Sequence, residues 1–414
     1  MIDRSLYDDS NRHLTMTPST RLLCLLALLV ACPGDSGSTT ATDGTSTGTD
    51  TSTDTSTGAS TDASTGSTAT STPTTGATGE PGTTVGTTMG ITTGEPGTTG
   101  EPGTTGDAAD ESVVLLDVPC EKSPGAATRC ERHEVTCEGL APAIVELAIY
   151  EAAGGVPSKG TILFGSGGEG TGFYNFTQAK ALLSVGYTIV DRRWPAGWFT
   201  GATDGPQQAA CRLGALIRHL RANPPASGPL CATGNSGGSA ELGFALTWQD
   251  AGPSLDFAMP TSGPFHRLDL ACQGESDPDW PAACEALHLA NCPDCASMSC
   301  QLGNGPRALM DRSFAETPRC SAPEPGDLEL LAERSPAVGP DIAGLGALPI
   351  HFLIGKDDPG AYEPLATALH DALADADAVV DIDFITGAPH EMDSVPAGGE
   401  AIRDALLARC VPLK

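Results

Sequence analysis

The chain has 414 residues and a formal charge of −30, from 22 basic and 52 acidic side chains. That balance leaves no electrostatic footprint for nucleic acid or anionic lipid, and it disfavours strongly anionic substrates. The charge is uneven: residues 33–111 hold eleven acids and no Lys or Arg, and the part from 113 carries 38 acids against 19 bases. Fourteen cysteines are many for a cytosolic enzyme and point to an oxidising compartment.

In chain order, Arg21 is followed by an apolar run over 22–31 and then Cys32. The run is too short to span a bilayer and fits the core of an export signal. Leu29-Val30-Ala31-Cys32 resembles the bacterial lipobox, which implies that Cys32 is lipidated and becomes the mature N-terminus. An ordinary secretory signal with a coincidental cysteine is the alternative. Met16 offers a tidier start than Met1, and Pro33 in place of an aspartate after the cysteine leans to the outer membrane. The expected segments are a lipoprotein signal over 1–31, a tether over 32–111 and a folded domain over 112–414.

The tether is Thr, Ser, Gly, Asp and Ala, with Gly-Glu-Pro-Gly-Thr-Thr recurring at 79–84, 94–99 and 100–105. Such a segment cannot bury enough apolar surface to offset its ordering entropy. As a flexible coil it would reach about 50 Å on average, a spacer holding a domain off a membrane.

Within the folded part, Val113–Val118 reads as a short apolar strand and Ala143–Tyr150 as an edge hairpin strand by its alternation. Gly160–Gly165 and Tyr187–Val190 read as buried strands, with a helix near 176–185 between them and another near 207–221. Leu255–Met259, Leu348–Ile354 and Val379–Ile385 continue the strands, and 362–374 and 398–409 are helical. Strands alternating with helices predict an α/β class with a mostly parallel central sheet flanked by helices.

The glycine-rich loop Gly165–Gly172 has two readings. As a dinucleotide loop it lacks a fitting acid after the next strand apart from Asp191. As an oxyanion loop, its bare backbone would let N–H groups face a developing anion, which is the better fit. Between 266 and 334 the pattern breaks into a Cys-, Pro- and Asp-rich insertion. Cys292-Pro293-Asp294-Cys295, with Cys300 and His288 nearby, invites zinc, but no second pair completes that site and export favours disulfides. No metal and no cofactor is expected. The twelve cysteines from Cys120 on are an even number, so all can pair.

The chemistry centres on Leu230–Leu242, an apolar strand, then Gly234-Asn235-Ser236-Gly237-Gly238, then helix formers. This is G-x-S-x-G in the strand–turn–helix context that it requires. A serine hydroxyl needs a neighbouring base at neutral pH. Of the eight histidines, only His390 sits in a loop beyond the C-terminal end of a core strand. His351 falls in a strand, His219 and His370 on helices, His133 before the sheet, and His266 and His288 in the insertion. Trp194, Trp198 and Trp280 read as packing residues, and Arg192 and Arg193 as salt-bridge partners.

Serine elbow, then an acid after a late strand, then a histidine after the next strand resembles the α/β-hydrolase superfamily over residues 143–410, with 266–334 as a lid-like insertion. The resemblance implies Ser236 as nucleophile, His390 as base, and Asp358 of Gly355-Lys356-Asp357-Asp358 as the acid, with Asp357 the runner-up. It also implies oxyanion donors at Gly237 and at Ser166, although Phe164 stands where the family often has His. The expected activity is hydrolysis of a small-molecule or polymer ester through an acyl-enzyme. A peptidase or amidase on the same triad, or a non-catalytic surface lipoprotein, are the alternatives.

Overall fold

A computed structural model describes residues 111–152, 154–273, 292, 294–295, 302–315, 318–358 and 362–412. The expected signal, Cys32 and the tether up to residue 110 lie outside the described residues, as do Trp280, Cys284, His288 and Cys300.

The strands are β1 (Ser112–Leu116), β2 (Arg129–Thr136), β3 (Ala143–Tyr150), β4 (Gly160–Gly165), β5 (Tyr187–Arg193), β6 (Leu230–Asn235), β7 (Phe257–Thr261), β8 (Ile350–Gly355) and β9 (Val380–Ile385). They form one nine-stranded sheet in the order β1-β2-β3-β5-β4-β6-β7-β8-β9. β1, β2, β3 and β5 pair antiparallel, and every pairing from β5 through β4 to β9 is parallel. Between them run α1 (Ala179–Ser184), α2 (Pro206–Ala209), α3 (Cys211–Ala222), α4 (Gly237–Trp248), α5 (Leu268–Gln273), α6 (Asn304–Asp311), α7 (Asp327–Glu333), α8 (Tyr362–Asp375) and α9 (Pro396–Arg409). The fold is α/β-hydrolase-like, with an antiparallel start, a parallel body and the serine-bearing strand near its middle.

The parallel strands β4 to β8 are buried on both faces, whereas β9 at the far edge is half-buried and alternates Val-Asp-Ile-Asp. Strand alternation divides them between two cores. Leu163, Ala232, Ala258 and Phe352 face one core with Leu216 of α3, Phe244 of α4 and Leu369 of α8. Ile162, Phe164, Phe257 and Leu353 face the other, with Leu182 of α1 and Ile402 and Leu406 of α9. Disulfides join Cys137–Cys211, Cys231–Cys410 and Cys272–Cys320 across the fold, and Cys120–Cys130 and Cys292–Cys295 locally. Cys292-Pro293-Asp294-Cys295 is therefore closed by a bond between its own two cysteines.

Several local expectations change. Ala143–Tyr150 is not an edge: it lies third in the sheet, covered by β2, a strand whose Arg-Cys-Glu-Arg-His-Glu sequence carries no apolar alternation. His133 accordingly lies inside the sheet, on β2, and is 3% exposed. The edge strand on that side is β1, whose Val114 and Leu115 remain exposed. The helix expected over 207–221 breaks at Ala210 into α2 and α3.

The insertion over 266–334 falls between β7 and β8, and its described parts are built into the body. Leu268, Ala271, Met310, Phe314 and Leu331 join the main core. His266 is fully buried beneath the sheet end, its ring centroid 5.7 Å from that of Phe352, and so belongs to the core.

Candidate active site

β6 ends at Asn235 and α4 begins at Gly237, leaving Ser236 alone on the turn with φ 53° and ψ −119°. That positive φ is costly for a residue with a Cβ and is sustained by the packing around it. Two glycines make the turn possible. A Cβ on Gly234 would come within 2.5 Å of the Gly238 carbonyl, and one on Gly238 within 2.6 Å of the carbonyl oxygens of Gly165 and Ser166. The spacing of the motif is thus a matter of backbone passing backbone.

A buried polar clamp holds the helix that follows. Glu241, one turn into α4 and fully buried, pairs with the Arg192 guanidinium and accepts a 2.9 Å hydrogen bond from Trp194 Nε1. Burial pushes its carboxyl up from the ordinary range, opposed by Arg192. Arg193 pairs with buried Glu146 of β3 in the same manner. Both arginines are the salt-bridge partners expected of them; their acids were hidden in the sequence, one inside a helix run and one inside a strand.

The acid and the base come from neighbouring loops. The loop after β8 carries Asp357, exposed, and Asp358, 3% exposed. The loop after β9 carries His390, and the two are stitched by the Asp357 N–H donating to the Ala388 carbonyl at 3.0 Å. His390 Nδ1 lies 2.9 Å from Asp358 Oδ2, and its Nε2 lies 2.9 Å from Ser236 Oγ. An ionised carboxylate only accepts, so Nδ1 carries the proton and Nε2 presents its lone pair to the serine O–H. Ser236, His390 and Asp358 are thereby brought into one hydrogen-bonded line, and Asp357 is left outside it.

The glycine-rich loop lies against the start of α4. A Cβ on Gly237 would fall 1.9 Å from the Gly168 carbonyl oxygen, and one on Gly167 would fall 3.2 Å from Ser236 Cβ. Ser166 anchors the loop by donating its hydroxyl to the Gly172 carbonyl at 2.6 Å. Gly237 is the first residue of α4, so its N–H has no intrahelical acceptor. Ser166 and Gly237 both lie close to the nucleophile turn. The described insertion touches both loops: Arg312 pairs with Glu169, and Lys356 Nζ lies 2.6 Å from Asp294 Oδ2.

A cleft of about 380 Å³ opens beside Ser236 and His390, walled by Ser166–Gly168, Phe173, Tyr174, Glu391 and Asp393. Asp191, at the end of β5, holds one wall from behind by accepting the N–H groups of Tyr174 and Asn175 at 2.9 Å each. Burial pushes the Asp191 carboxyl up to about 6, against the pull of those two N–H groups. It anchors the wall of this cleft. Phe173, Tyr174, Glu391 and Asp393 were not singled out in the sequence, where only Glu391's place beside His390 marks any of them.

No protein-family model matches the chain, and no curated protein does. Among solved structures it is similar to a Mycobacterium tuberculosis puromycin-hydrolyzing peptidase, at 17% identity over 69% of this chain and 40% of that one, with a TM-score of 0.43. It is similar also to a truncated carbohydrate esterase from gut microbiota, at 14% identity over 64% of this chain and 90% of that one, with a TM-score of 0.44. Est1E from Butyrivibrio proteoclasticus matches at 12% identity, over 67% of this chain and 98% of that one, with a TM-score of 0.43. The chain spans less than half the length of the first of these.

Proposed function

We propose that the chain is an exported, lipid-anchored serine hydrolase that cleaves carboxylic esters through an acyl-enzyme. The observation that carries the reading is the line from Ser236 Oγ through His390 to Asp358, with both contacts at 2.9 Å. Ser236 attacks the carbonyl as His390 Nε2 takes its proton, and Asp358 stabilises the resulting imidazolium. The N–H groups of Gly237 and Ser166 hold the oxyanion. The tetrahedral adduct expels the alcohol, which takes the proton back from His390. Water, deprotonated by the same histidine, then releases the acid and restores Ser236.

A fluorophosphonate probe and a panel of chromogenic esters and anilides, with Ser236→Ala as control, tests this. Labelling and ester turnover that both vanish in Ser236→Ala are expected. Turnover of anilides in preference to esters would reassign the protein to the amidases. An unlabelled serine would leave it a binding protein. The anchor rests on Leu29-Val30-Ala31-Cys32. Cys32→Ala should release the protein from the membrane fraction or leave it unprocessed, and a wild-type N-terminus elsewhere, without acyl mass, would remove the anchor from the proposal.

A further inference from the structure

The walls of the cleft differ in chemistry. Backbone and small side chains at Ser166–Gly168 and Ser236 share the lining with two rings, Phe173 and Tyr174, and two carboxylates, Glu391 and Asp393. Among the described residues, no Lys or Arg lines the cleft. Both carboxylates follow directly on His390, so their distance from the reacting centre is fixed by a short, tethered segment. Met392 between them is fully buried, and Thr177 Oγ1 donates to the Asp393 carbonyl at 3.2 Å, so the segment is held on two sides. The aromatic wall is held from behind by Asp191.

Resting on the reading of Ser236 as nucleophile, we infer that this cleft selects esters whose acyl part carries a positive charge, an ammonium group seated between Asp393 and Glu391 against the rings of Tyr174 and Phe173. Aromatic faces and carboxylates share one preference, since the ring quadrupole and the formal charge both attract a cation. A partly desolvated carboxylate without a basic neighbour in the cleft gains most from a ligand that brings the countercharge. The titration of the wall agrees. Burial first, then Glu391, pushes the Asp393 carboxyl up, against hydrogen bonds from the Thr177 N–H, its own N–H and the Tyr174 hydroxyl, and burial first, then Asp393 and Asp191, pushes the Tyr174 phenol well up. The domain's net acidity adds a long-range attraction for cations, weakened by salt.

The test compares three para-nitrophenyl esters: trimethylammoniobutyrate, its neutral isostere dimethylhexanoate, and the monoester of adipic acid, each corrected for its hydrolysis in buffer. We expect kcat/KM for the cation to exceed that of the neutral isostere by about tenfold or more, and the anion to be poorest. The preference should shrink as salt rises and collapse in Asp393→Asn, with Glu391→Gln intermediate. A cation-to-neutral ratio near or below one overturns the inference, as does a ratio that neither variant moves. Fluorophosphonate labelling of Ser236 in every variant keeps the arms apart. A labelled enzyme indifferent to charge defeats only the selectivity, whereas an unlabelled wild type defeats the hydrolase reading itself.

Discussion

Asp358 Oδ2 stands 2.9 Å from His390 Nδ1, while Asp357, one residue earlier in the same loop, points its side chain into solvent. The Asp357 backbone N–H is bound to Ala388, which fixes the loop so that successive side chains diverge. Asp358→Asn should reduce turnover by up to about 10⁴-fold, because the amide can hold the imidazole in the wrong tautomer. Asp357→Asn should keep most of its activity. Steady-state kinetics on one ester decides it: a reversed order would move the acid by one residue, and two active variants would remove it from the mechanism.

A methyl group at Gly237 tests the oxyanion side. Its Cβ would fall 1.9 Å from the Gly168 carbonyl oxygen, so the glycine-rich loop must shift away from the nucleophile. Gly237→Ala is expected to lose about 10²-fold or more in kcat, the scale of one misplaced oxyanion donor. Circular dichroism should show the fold retained. Full activity in this variant would place the oxyanion donors elsewhere.

Two buried titrations oppose one another in the pH dependence of stability. Asp191 is pushed up to about 6, so on raising pH from about 4 to 6 the unfolded chain loses its proton first and stability falls. His266 is pushed down by burial to about 4, so between that value and 6.5 the unfolded chain holds the extra proton and stability rises with pH. Each slope spans roughly 3 kcal/mol and they largely cancel. Relative to wild type, Asp191→Asn should gain stability on going from pH 4 to 6, and His266→Gln should lose it over the same range. Urea denaturation at several pH values reads both. Parallel curves for all three proteins would refute the assignment.

Cys231 lies near the start of β6, buried, and is bonded to Cys410 just beyond α9. Losing that bond should destabilise the domain by about 2–5 kcal/mol. The paired variant Cys231→Ala with Cys410→Ala should therefore melt well below wild type. Added reductant should lower the melting temperature of the wild type too. Equal melting of variant and wild type would show that the bond contributes little.

The fold was legible wherever the physics is local. Strands such as Gly160–Gly165 and Ile350–Gly355 are buried on both faces, so their largely apolar composition announces them. The candidate triad was legible because its order along the chain follows the order of the sheet. β2 was not, since its side chains are mostly charged and its pairing comes from β1 and β3 on either side. Nor was the Arg192–Glu241 pair, whose members stand 49 residues apart and meet only when α4 packs on the sheet. His266 misled for a related reason. It opens a segment of broken pattern, yet its ring fills a space beside Gly243 and Gly263 that only the folded chain defines.

The Cys231–Cys410 bond joins residues 179 apart, and Ser236, Asp358 and His390 all lie between them. The backbone from one cysteine to the other is therefore a closed covalent ring that contains every member of the candidate triad. A single protease cut within that ring, including anywhere in the segment from 274 to 319, opens the ring without releasing a fragment. Nucleophile, acid and base would remain one molecule, separable only after reduction. For a protein expected to work outside the cell, among other organisms' proteases, the ring makes an unbroken main chain between nucleophile and base unnecessary for keeping them together.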